Sequence, residues 1–264
     1  MQKKAQKTVD VVRKPILYGS WHGKDARRLA VKNGLSFLGT TLVYVIAGTF
    51  LSFPSLWMRA AASAMVIAAL ACYQYATGCA KGEKDASYGE IIHSRKAEGY
   101  PVETERSFHP FKGFFAVLAG CAPFLAFAIV FAFLTQEVTY RLGSLPVWTE
   151  SMMRHSEFGT ALAYYGQQPG LDAIGIMRVI DRTMVLPFVN VTTLMGSKAT
   201  LLVERLSPLL IMIVPVWYGI GYAQGLNLRA KVNTGIKMGD DKKKRRERKA
   251  RRQRQQSKTP ERLI

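Results

Sequence analysis

The sequence predicts an all-α, multi-pass membrane protein with four transmembrane helices, an amphipathic outer segment and a basic C-terminal tail that is disordered or a solvated helix. Three observations predict it. The first is the spacing of charge. Lys32 is followed by no Asp, Glu, Lys or Arg until Arg59, a gap of 26 residues, and gaps of 21, 24 and 23 residues follow Arg59, Lys112 and Arg205. A hydrocarbon core about 30 Å thick takes about 20 apolar residues in a helix, so each gap is long enough to cross it. The second is a hydrophobic share of 48% beside a net charge of +19, which fits apolar blocks segregated from charge. The third is where the charge falls. Residues 1–32 carry a net +7 and residues 227–264 a net +11, whereas residues 80–112 and 135–205 each hold six basic and six acidic residues. Lys and Arg near span ends mark the cytoplasmic side, and an even number of spans puts both basic termini there. The expected location is the cell membrane.

Residues 1–32 form a basic N-terminal segment. Within it Val9, Val11 and Val12 mix with Lys7, Arg13 and Lys14 before Pro15, so residues 5–14 are expected as a short amphipathic helix on the membrane surface. The basic stretch from Lys24 to Lys32 belongs among lipid head groups. The first apolar run begins too late for a secretory signal and reads as an uncleaved anchor. The membrane domain, residues 33–134, opens with a span at 34–53. Phe53-Pro54-Ser55 then makes a tight turn, because proline ends helices and disfavours helical geometry before it. A second span at 56–79 returns at once, giving an antiparallel hairpin whose small residues Ala60–Ala64 allow close helix approach. Arg59, at the hairpin's outer end, can snorkel to water.

Residues 80–112 are expected as a polar cytoplasmic loop with a short helix over 85–97, broken by Gly99-Tyr100-Pro101. The third span covers 113–134, with Gly120 and Pro123 permitting close packing and a kink. Residues 135–205 form an extracytoplasmic amphipathic region. Two helices are expected there, at 149–165 and along the stripe Ile174, Met177, Ile180 and Met184, which should pack on the rest of the protein. Asp172 and Arg182 fall on that helix's other face. Pro187 interrupts the uncharged stretch near 185–197, too short and broken for a span. The fourth span, 206–228, carries Pro215 and the pair Gly221 and Gly225, whose spacing puts both glycines on one helix face.

The tail, residues 229–264, contains Lys242, Lys243, Lys244, Arg245, Arg246, Arg248, Lys249, Arg251, Arg252 and Arg254. With no apolar face it cannot bury a core. Contact with an anionic inner leaflet is the first expectation, each cation near the surface contributing about 1 kcal/mol. Binding to nucleic acid or the ribosome is the second, and would be sequence-independent because no aromatic residue is present to stack on bases.

No catalytic residue, metal site or cofactor is expected. Cys72, Cys79 and Cys121 lie in apolar segments with no disulfide or zinc spacing. Glu90-x-x-His93 has one ligand pair of a type that di-iron helices need twice. Asn190-Val191-Thr192 fits a glycosylation acceptor. No charged residue sits mid-span, which argues against a pump or ion-coupled transporter. Thr40, Thr41, Tyr44, Gln74 and Gln224 are the polar groups within the spans. The leading expectation is a non-enzymatic accessory or scaffold subunit of a membrane assembly, with a protein partner in the membrane. The alternatives are a permease-like component for a small solute and a membrane-protein biogenesis factor with a ribosome-binding tail.

Overall fold

A computed structural model describes residues 11–50, 53–136 and 173–256, with side chains through Gln253. The described residues form seven helices: α1 Lys24–Phe50, α2 Leu56–Ala97, α3 Lys112–Leu134, α4 Ala173–Met184, α5 Leu186–Thr192, α6 Ser197–Met212 and α7 Val216–Gln256. Four stretches are long and apolar enough to cross a membrane: α1, α2, α3, and α6 with α7 together. The chain is a multi-pass, all-α membrane protein. Large apolar side chains such as Leu35, Leu42, Phe50, Phe133 and Leu209 stand exposed along these helices. Lipid solvates them where water would not.

Several boundaries differ from the sequence expectation. The second helix runs through the charged stretch after Cys79 to Ala97, absorbing the short helix expected at 85–97. Lys81 and Asp85, one turn apart and 2.7 Å from each other, support that continuation. It ends where expected. Gly99 takes φ 83°, and the Tyr100 amide donates to the Arg95 carbonyl, the left-handed stop that glycine permits. The fourth span is broken by a turn at residues 213–215, where Pro215 lacks an amide hydrogen. Pro123 lies inside α3.

The expected amphipathic helix at 5–14 is not present in its described part, since residues 11–20 are non-helical. This segment is a strap instead. The Val12 amide donates to Thr234 Oγ1, the Leu17 amide to the Gly89 carbonyl and the Gly19 amide to the Phe108 carbonyl. Backbone groups satisfied in this way, with Pro15 following, give the segment no need of a helical ladder. Residues 1–10, and the helix expected at 149–165, lie outside the described residues.

By its internal contacts the chain divides into two compact units, residues 1–27, 75–115 and 218–264, and residues 28–74 and 116–217. In the first, α2 and α7 run side by side in the same sense. Gly78 lies against Tyr218, Gly82 against Tyr222 and Gly225, and Glu90 bonds Arg229 and Asn233. In the second, Phe37, Cys121, Ala128, Met184, Val185, Val189, Val203 and Ile211 form the core. There α1 meets α3 backbone to backbone, Gly34 and Ala30 against Gly120.

Helix α4 corrects one expectation. Ile174, Ile176, Val179 and Ile180 are exposed, whereas Asp181 and Met184 are buried, and Arg178 and Arg182 reach inward to Glu204. A buried carboxylate without cations costs much, and the pairing of Arg178 and Arg182 with Glu204 sets the helix's rotation. The uncharged stretch after it is the short helix α5, bedded in the core through Pro187 and Val189.

Candidate functional site

The first unit holds a seam of glycines. A Cβ on Gly221 would overlap the Tyr75 carbonyl, and one on Gly225 would overlap the backbone of Gly82. On the facing helix, a Cβ on Gly78 or Gly82 would overlap the Tyr218 or Tyr222 carbonyl. Glycine at four-residue spacing on both helices lets the backbones touch, and dispersion between close-packed backbones then holds them. The expected pair Gly221 and Gly225 thus faces α2 of its own chain. Its partner pair, Gly78 and Gly82, lies across the point where the apolar run ends. Nearby, Tyr222 stacks on Phe108 with ring centroids 5.4 Å apart, and its hydroxyl donates to Asp85 Oδ2 at 2.7 Å.

Beside the seam lies a closed group of four charges. Lys112 is fully buried, its Nζ 2.6 Å from Asp25 Oδ2 and 3.5 Å from Asp85 Oδ2, and it also donates to the Glu105 and Ser107 carbonyls. Lys81 Nζ lies 2.7 Å from Asp85 and 3.7 Å from Asp25. The two cations balance the two carboxylates. Further along the same two helices, Arg229 grips Glu90 Oε2 through Nε and Nη2 at 3.1 and 2.9 Å, and Asn233 Nδ2 donates to Glu90 Oε1 at 2.6 Å. Glu90 is therefore committed to Arg229 and Asn233 rather than to a metal with His93. Among the described residues no group of three His, Cys, Asp or Glu could hold a metal ion.

The second unit has its own polar centre. Glu204 is buried, with Thr135 Oγ1 donating to it at 2.5 Å and Arg178 and Arg182 within 3.3 and 2.7 Å. Asp181 is fully buried, with the Ser207 hydroxyl beside it. Burial pushes the Asp181 carboxyl up to about 7, opposed by the Ser207 hydroxyl and Arg182 and helped by the negative charge of Glu204. A cavity of about 360 Å³ adjoins this centre, lined by Arg182, Glu204, Thr193, Thr200 and Ser197 among others.

Four of the polar residues named in the spans bond within the chain. Thr40 and Thr41 donate to the carbonyls four residues before them, Gln74 Nε2 donates to Ser36 Oγ at 2.9 Å, and Gln224 accepts from Asn227. Tyr44 is buried. At the hairpin end, Arg59 donates to the Phe53 and Asn190 carbonyls at 2.8 and 3.0 Å instead of reaching for water. Asn190 sits half-buried in α5, not in an exposed loop suited to glycosylation.

No family model, no curated protein and no solved structure matches the chain.

The tail residues stand on α7. Of the two states expected, disordered or a solvated helix, the structure gives the helix, through Gln256. Every side chain from Gly235 to Gln253 is exposed, among them Lys242, Lys243, Lys244, Arg245, Arg246, Arg248, Lys249, Arg251 and Arg252. Arg254 belongs to the helix, and its side chain lies outside the described set.

Proposed function

We propose that this chain is a non-enzymatic accessory or scaffold subunit of a membrane assembly, set in the cell membrane with both termini cytoplasmic. The observation that carries the reading is α7, a single helix that begins in a glycine seam and ends in 19 consecutive exposed residues. It joins an element fixed by packing to a basic arm that buries nothing within its own chain. The closed ion groups support the non-enzymatic part. Lys112, Asp25, Asp85, Glu90 and Glu204 are spent on one another and on neighbouring polar groups, which suits rigidity better than proton transfer. The terminal charge bias supports the orientation. The common direction of α2 and α7 fits the count of four spans, since spans two and four must share it.

The helical state of the tail bears on its partner. At 1.5 Å per residue, Lys242 lies about 24 Å and Arg252 about 39 Å beyond Leu226 along the axis. The field of an anionic leaflet fades within a Debye length of about 8 Å at physiological salt. An arm that continues straight from its span is carried past the leaflet, so a polyanionic macromolecule fits it better than the lipid surface does. A nucleic acid or the ribosome is the second reading for that reason, and would make the chain a membrane-protein biogenesis factor. The test uses the full chain in nanodiscs of neutral lipid beside a form lacking residues 237–264. RNA binding that weakens with salt and disappears on deletion supports the arm. Binding that appears only with anionic lipid sinks it in favour of the leaflet. A lone monomer on purification in mild detergent would count against the scaffold itself.

A further inference from the structure

One cavity in the first unit has chemistry that the ion groups do not use. It encloses about 280 Å³ and is lined by Arg13, Lys14, Pro15, Ile16 and Tyr18 of the strap, Glu90 of α2, and Leu226, Arg229, Ala230 and Asn233 of α7. Three cations face one carboxylate there, and that carboxylate is already held by Arg229 and Asn233. Arg13 and Lys14 are exposed and have no ion pair or side-chain hydrogen bond among the described residues. Two positive charges are thus left over. They are held at the cavity by a strap whose backbone is fastened on both sides of it, at Thr234 and at Gly89.

Depth decides between sources. Arg229 lies about 5 Å and Asn233 about 10 Å beyond Leu226 along α7, where the apolar stretch ends. A headgroup layer occupies about 5–8 Å on each side of the hydrocarbon core, so the cavity opens at the level of lipid phosphates. The basic tail does not. Basic pockets beside membrane helices at this level are suited to anionic head groups.

We infer that this cavity binds the phosphate of an anionic phospholipid, with Arg13 and Lys14 on the phosphate. Tyr18, at the rim, adds a phenol that can donate to the phosphate. The inference stands apart from the reading of the tail.

The experiment counts lipid retained by the full chain in mild detergent, by native mass spectrometry, after exposure to phosphatidylglycerol or phosphatidylcholine. Inorganic phosphate is the competitor. Phosphatidylglycerol should be retained in preference, and the double variant R13A/K14A should weaken its retention about thirtyfold, the product of two surface cations near an anion. Both residues are exposed, so the variant folds if the seam and ion groups do, and its melting temperature in the same detergent checks that. The tail variant K242A/K243A/K244A should retain the lipid like the parent. Displacement by phosphate at millimolar concentration, with no preference between the lipids, would overturn the lipid assignment. Retention unchanged in R13A/K14A would overturn the site.

Discussion

Replacing Lys112 with Met tests how the closed ion group holds the first unit together. The variant keeps the length of the side chain and removes its charge. Lys112 is fully buried and its Nζ is the nearest cation to Asp25, at 2.6 Å. Asp85 would keep Lys81 at 2.7 Å and the Tyr222 hydroxyl, whereas Asp25 would be left with Lys81 at 3.7 Å and the charge of Arg106 beyond ion-pair distance. The stranded group is therefore Asp25. Removing one partner of a buried pair costs about 3–5 kcal/mol. The Asp25 side chain is 19% exposed, so water recovers part of that and the lower end, about 3 kcal/mol, is expected. That is about two decades in the unfolding constant, since 1.4 kcal/mol is a factor of ten. The assay is unfolding by SDS titration from mild-detergent micelles, followed by tryptophan fluorescence. The double variant K112M/D25N, which removes both charges, should recover at least half of the loss. A K112M variant within about 1 kcal/mol of the parent, the range of a solvated surface pair, would refute the buried-group account.

Gly225→Leu should destabilise the protein by about 3 kcal/mol, the upper end for overpacking, because the obstruction is the backbone of Gly82 and not a movable side chain. Gly235→Ala, on the same helix with nothing within 4 Å, should leave stability equal or raise it by up to about 1 kcal/mol in the same titration. Asp181 sets a pH dependence with a definite sign. Its carboxyl titrates near 7 in the folded protein and at about 3.8 when unfolded, so the folded state binds the proton more tightly. Stability then falls as pH rises from about 4 to about 7, by up to about 4 kcal/mol at 1.36 kcal/mol per unit. Asp181→Asn should flatten that slope in melts taken across the range, and an unchanged slope would assign it to other groups.

The four spans are legible in the sequence because lipid demands long uncharged runs, and nothing else in the chain imitates them. Interior arrangement is less legible. Lys81 through Asp85 end the second apolar run, and the end of a run marks the end of a span but not of a helix. An ion pair one turn apart sustains a helix in water as well as apolar contact does in lipid, so α2 goes on to Ala97. The pair Gly221 and Gly225 stood out inside an apolar helix, whereas Gly78 and Gly82 straddle that same boundary. The spacing itself was the available signal. The polar centres join residues far apart in sequence, 87 positions for Lys112 with Asp25 and 137 for Tyr222 with Asp85, so no local pattern announces them. Helix α4 shows the opposite failure. Its apolar stripe was visible, but periodicity tells only that a helix has two faces. Which face turns inward depends on Glu204, a residue of another helix.

The sided arrangement of the four spans is tested most directly by thiol labelling in intact cells. In a background with Cys72, Cys79 and Cys121 replaced by alanine, single cysteines are placed at Met195, Tyr100 and Lys249, all exposed positions. A membrane-impermeant maleimide should label M195C in intact cells, and should label Y100C and K249C only after permeabilisation. Labelling of Y100C or K249C from outside, with M195C protected, would contradict the account.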